Sequence, residues 1–242
     1  MPLSQLLSDL RLFSDIAPGP TPAPTAAPAP TPTAVPAEAL PAAVAVPSAS
    51  DRHLLSRFSW GITPALVAES ADAGGARQWL EQQLETAVET DNLADWWPHL
   101  QWSPADKYAA DNSGEIGSFE QDNDFSRWTL LRRMTSQLQL LEVMTDVWSN
   151  LLYISLVRKT FPHRPRFDAT VRPNALGTYE QLLAAAVLHP AMLCYLDNAR
   201  STKAAPNENL GRELLELHTV GRSAAYSERD VRHSTRILTG TG

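Results

Sequence analysis

The stretch PNENLGRELLELHTVG, from Pro206 to Gly221, packs Asn207, Glu208, Asn209, Glu213 and Glu216 into about two helical turns, with His218 near its end. Several oxygen ligands at that spacing could do two kinds of chemistry. Hard carboxylate oxygens suit a divalent cation, and paired carboxylates suit acid/base work. Glu213 and Glu216 stand at i, i+3, the spacing helical bundles use to aim two ligands at one ion. A complete site needs ligands from another helix. The candidates are Asp197 and Asn198 in YLDN, Asp146 and Asn150 upstream, and His163. On this reading Glu208, Glu213 and Glu216 act as ligands or acid/base groups, Asp197 adds a carboxylate, and Arg212 orients an anion.

A plainer reading uses the same residues. At 100° per residue, Glu208, Arg212, Glu216 and Thr219 share one arc, with Asn209 and Glu213 on its border. Leu210, Leu214, Leu215 and Leu217 lie on the other side. Glu208–Arg212 and Arg212–Glu216 are i, i+4 pairs of an ordinary solvated face, and such pairs add little. His218 falls among Leu214, Leu215 and Gly211, where a buried, singly hydrogen-bonded imidazole is expected. Gly211 costs roughly 1 kcal/mol against Ala inside a helix, which points to close approach of another helix there.

The elements that must position these groups are helical. Asn207 is a natural N-cap and Gly221 fits the left-handed C′ position. Ser50 is expected to cap DRHLLSRF. Thr63 caps a helix with Pro64 at its first position, stopped by Gly74-Gly75. ARQWLEQQLETAV follows, with Trp79, Leu80, Leu84, Ala87 and Val88 as its apolar face. Residues 91–118 read as a structured loop with one short helix. Trp96, Trp97 and Trp102 there cover the edge of the core, a sugar-stacking platform being the alternative. Apolar residues recur every three or four positions from 124 to 152 and predict one long amphipathic helix. Thr178 with Gln181 forms a capping-box pattern, and Ser227 begins a helix that ends at Gly240. Nothing alternates with period two. The expected fold is all-α, an irregular multi-helix bundle over 51–242.

Ahead of it, residues 18–47 are almost entirely Pro, Ala, Thr and Val. Proline lacks an N–H and fixes φ, so this stretch, extended to residue 50, reads as a disordered, semi-rigid linker up to roughly 90 Å long. Residues 1–17 hold a short amphipathic helix built on Leu3, Leu6, Leu7, Leu10 and Phe13.

Of the 242 residues, 27 are acidic and 20 basic, a net charge of -7. That balance argues against nucleic acid as a partner. The local exception is VRKTFPHRPRF with Arg172, which gathers five Arg or Lys residues and His163. It reads as a solvated loop, with contact to an anion or an acidic partner as the alternative. Cys194 lies among apolar neighbours and reads as an inert thiol. No segment has the ~20 apolar residues of a membrane span, and the N-terminus does not read as a signal peptide. A soluble, cytoplasmic protein is the default. Protein partners are expected at the N-terminal arm or the acidic helix face.

RPNALGTYEQLLAAAVLHPAMLCYLDNARSTKAAPNENLGRELLELHTVG, followed by YSERDVRHSTRILTG, resembles the bacterial family named domain of unknown function 1800. HLLSRFSWGITPALV resembles that family's opening and LLEVMTDVWSN its central helix. The resemblance covers about residues 51–242. It implies a largely helical bacterial protein with no assigned reaction or cofactor, and a secreted or periplasmic setting by analogy with relatives. Departures are visible: Leu151 and Asn174 stand where the family commonly has histidine, and GRSAAYSERD is altered. The family domain continues past this sequence, so the resemblance implies a truncated member, its N-terminal half. The sequence leaves open whether the protein is an enzyme. The functional alternatives are a carboxylate-based metal-dependent hydrolase and a protein- or carbohydrate-binding module.

Overall fold

Frequent N-cap residues start eleven α-helices among the described residues, joined by short 3₁₀ turns. A computed structural model describes residues 46–85, 93–156 and 159–241, and among these there is no strand. The expected all-α bundle is what forms. The linker up to residue 45 and the helix expected over residues 2–14 lie outside the described residues.

Helices α1 (Ala49–Phe58), α2 (Pro64–Asp72) and α3 (Ala76–Glu85) form a small subcore around Leu55, Leu66, Ala76 and Trp79. Thr63 caps α2 through the Leu66 amide, as expected. The cap of α1 is Ser48, not Ser50: its Oγ accepts from the Asp51 amide at 3.1 Å, so the helix takes in the last two residues of the stretch assigned to the linker. On α3 the apolar reading fails at Leu84, which is exposed, while Gln83 is buried. Gln83 wins the inward position because its amide bridges two main-chain groups. It donates to Gln137 O and accepts from Leu140 N.

The segment expected as one helix over 124–152 is two, α5 (Ser118–Thr135) and α6 (Gln139–Leu151). Side chains compete with the helical ladder at the break. Thr135 Oγ1 donates to Leu131 O, Ser136 Oγ accepts from Leu138 N, and Gln139 Nε2 donates to the carbonyls of Arg133 and Ser136. The break lets charged residues of α5 meet those of α6, Arg132 with Glu142 and Arg133 with Asp146. Between α3 and α5, the tryptophan-rich segment forms two 3₁₀ turns and α4 (Pro104–Ser113).

Of the segment expected as a basic solvated loop, Lys159 and Arg166 are exposed, residues 157–158 lie outside the described residues, and the chain from Thr160 otherwise folds inward. A 3₁₀ turn (Phe161–His163) runs into α7 (Arg164–Val171), whose Phe167 and Val171 are fully buried. Those two anchors drag Arg164 and Arg172 towards the interior. Residues Phe167, Val171, Leu182, Ala186, Met192 and Leu210 belong to the main core, built from α7, α8 (Tyr179–Val187), α9 (Pro190–Tyr195), α10 (Asn209–Glu213) and α11 (Glu228–Leu238).

Helix α10 continues through Leu214–His218 as a π turn. The wider turn spoils the 100° wheel beyond Glu213. Leu217, placed on the apolar side by that wheel, is exposed, whereas Leu214 packs on the core. Gly221 ends the segment at φ +82, with its N–H donating to Leu215 O. Gly211 is where α10 meets α11. A Cβ there would sit 2.7 Å from Thr235 N and 2.9 Å from Thr235 Cα, so only glycine allows this crossing. Ser227 caps α11 with Asp230 in a complete capping box.

Candidate functional site

The acidic residues of α10 are engaged one by one by arginines. The N-cap of α10 is Glu208, without a capping side-chain bond, one residue after the expected Asn207, whose Oδ1 accepts from the Asn209 amide at 3.0 Å. Glu208 pairs with Arg212 at 3.3 Å, and Arg212 reaches across to α11, donating to both Glu228 oxygens at 2.8 and 2.7 Å. Glu216 accepts from Arg222 Nε at 2.5 Å. Glu213, half-buried, has no ion pair among the described residues. Asp197 pairs with Lys159 at 2.8 Å, and Asn150 donates to Asp146. Among the described residues no three His, Cys, Asp or Glu side chains are placed to hold a metal ion. The structure therefore does not gather Glu208, Glu213, Glu216 and Asp197 into one site.

His218 is buried, as expected, but its ring Nδ1 has no hydrogen-bond partner among the described residues. Its tie is through the main chain, where its carbonyl accepts from Tyr179 Oη at 2.7 Å. Burial lowers its pKa and disfavours the imidazolium. His163 is half-buried, with its pKa lowered by burial and by Arg166.

A different set of groups converges inside. Arg164 and Asp168 of α7 and Arg172 just past its end repeat every four residues and so share one face. That face meets Glu142, Thr145, Asp146, Ser149 and Asn150 of α6 and Phe125, Thr129 and Arg133 of α5 around a cavity of about 200 Å³. Glu142 is its anchor. Its Oε1 accepts from Arg172 Nη1 at 2.7 Å and from Arg132 Nε at 3.2 Å, with all three side chains buried. Arg172 also donates to Asp168 at 3.1 Å, and Arg133 pairs with Asp146. Burial pulls the Arg172 pKa down, but Asp168 and Glu142 outweigh it and the net shift is upward.

Two groups on the cavity wall are left over. Arg164 lies with its guanidinium carbon 5.7 Å from the Phe125 ring centre and 5.8 Å from that of Phe167. Its Nε and Nη1 are shut off from solvent and have no hydrogen-bond partner among the described residues. Desolvation lowers its pKa against the pull of Asp168, Tyr153 and Asp122. Thr145 is 3 % exposed and its Oγ1 is likewise unpartnered. The signal for this site was present in the sequence as the Arg164-Asp168-Arg172 spacing. Its partners Arg132, Glu142 and Thr145 lie on separate helices and gave no local sign.

A family model described as Protein of unknown function (DUF1800) matches residues 53–242. The chain belongs to that family. The matched segment takes in both the acidic face of α10 and the cavity between α5, α6 and α7. No curated protein and no solved structure matches the chain. Membership in DUF1800 brings no reaction with it, so chemistry has to be argued from these side chains.

Proposed function

We propose that this protein binds a small anion, a carboxylate or a phosphate, in the cavity between α5, α6 and α7. The observation that carries the reading is Arg164, which borders the cavity with two N–H groups unpaired. A buried donor without a partner costs about 1–3 kcal/mol, more when charged, and a bound oxygen would recover that cost. The ion pairs point the same way. Arg133, Arg164 and Arg172 line the cavity with Glu142, Asp146 and Asp168. The three carboxylates already have arginine partners. Arg164 is left without a carboxylate hydrogen-bonded to it among the described residues. Asp122 also acts on it, but shares its charge with Lys107. Thr145 and Ser149 line the same cavity with hydroxyls that can follow the arginine in donating to an oxyanion.

Thermal unfolding in sodium phosphate, sulfate or acetate, against chloride at matched ionic strength, tests this. A ligand at a hundred times its Kd adds about 2.7 kcal/mol of stability. The wild-type midpoint should rise in at least one of these anions, and that rise should disappear in Arg164→Gln. A midpoint indifferent to all three anions, or an equal rise in the variant, would remove the basis of the reading.

A further inference from the structure

A second recess, of about 220 Å³, is formed by Leu100, Gln101, Trp128, Pro165, Arg166 and Ala169. Pro165 and Ala169 are i, i+4 on α7, one position on from the face that carries Arg164 and Asp168, so one helix serves both recesses. The two recesses differ in kind. The inner cavity is lined by charges, whereas this slot is lined mainly by hydrocarbon and an indole.

Two polar features break that apolar lining. Trp128 Nε1 is shut off from solvent and has no hydrogen-bond partner among the described residues. An indole N–H is a donor only, and when buried it ordinarily finds an acceptor. The ring itself is held in place, with Arg132 at 5.2 Å and Arg172 at 5.7 Å from its centre. Arg166 is exposed and makes no ion pair with a carboxylate among the described residues. Arg166 is thus the charge at the edge of an otherwise apolar slot.

We infer that this slot is a binding site for a small aryl carboxylate, with its ring beside Trp128, its acid group on Arg166 and an acceptor atom on the Trp128 N–H. Size sets the class. Pockets for drug-sized ligands run to about 300–1,000 Å³, so this one holds a single ring with a short acidic arm. The site uses none of the residues that carry the anion reading of the inner cavity, and stands or falls separately from it.

Calorimetric titration of the full chain with phenylacetate, and in parallel with phenylacetamide, tests the inference. Phenylacetate should bind and the amide should bind at least tenfold more weakly. Arg166→Gln should abolish that difference. Trp128→Phe keeps a ring but removes the N–H, and should weaken phenylacetate about fivefold, the worth of one hydrogen bond. Arg164→Gln should leave phenylacetate affinity unchanged. Absence of phenylacetate binding overturns the proposal, as does equal affinity for acid and amide. So does wild-type affinity in both Arg166→Gln and Trp128→Phe. A loss in Arg164→Gln moves the ligand to the inner cavity and equally overturns the slot as its site.

Discussion

Arg212 on α10 and Arg172 just past the end of α7 each hold two carboxylates, one pair in water and the other out of it. Arg212 joins Glu208 and Glu228 at the surface, where all three side chains keep solvent. Arg172 joins Glu142 and Asp168 with each side chain 8 % exposed or less. The residue types are the same and the lesson is in the surroundings. At the surface, water does most of the solvating and the pairs can form or break at little cost. Inside, every charge must be answered by a protein group, and a group left unanswered, such as Arg164, becomes a place where something else can bind.

The comparison breaks most sharply at Glu142. Glu142→Leu leaves Arg132 and Arg172 facing each other without their shared carboxylate, and should cost about 3–5 kcal/mol in urea unfolding. A loss below about 1 kcal/mol would mean the interior cluster is as well solvated as the surface one. Next in size is Gly211→Ala. Alanine is the better helix former, yet its Cβ would meet the Thr235 backbone at 2.7–2.9 Å. Overpacking of this kind costs about 1–3 kcal/mol. A gain in stability instead would show that α10 and α11 are free to separate.

The pH profile sharpens the contrast further. Burial, aided by His163 and Arg166, brings His189 down to about 4. Its folded-state pKa is depressed below the unfolded 6.5, so between about 6.5 and 4 the unfolded chain binds more protons. Stability should therefore fall as pH drops through that window, and His189→Gln should flatten the fall. Asp122 works against it. Its folded pKa is raised to about 6, so it favours the folded state at low pH and loses that contribution as pH rises from about 4 to 6. Asp122→Asn should steepen the acid-side loss seen by circular dichroism. The smallest effect belongs to the surface. Glu216→Ala removes a pair with Arg222, whose side chain is 80 % exposed, and should change stability by about 0.5 kcal/mol or less.

Local features of this fold were legible in the sequence because their causes are local. Thr63 before Pro64, Ser227 and Gly221 each satisfy orphan helix-end groups within six residues, and all stand where the spacing put them. Gly211 was readable as a close crossing because a mid-helix glycine needs a compensating contact. The break after Thr135 was hidden because apolar spacing runs through it unchanged, while side-chain-to-backbone bonds decide the outcome. The π turn after Glu213 misled the helical wheel and so misplaced Leu217. The candidate site was least legible of all. Its carboxylates and arginines come from α5, α6 and α7, and only the packing of Phe167 and Val171 shows that a basic segment turns inward.

Calorimetric titration of inorganic phosphate into the wild-type chain, Arg164→Gln and Glu213→Ala tests most directly where the polar chemistry of this protein resides. Saturable heat in the wild type and in Glu213→Ala, with none in Arg164→Gln, is the predicted result. Undiminished binding in Arg164→Gln, or its loss in Glu213→Ala, would contradict the account and return the site to the acidic helix.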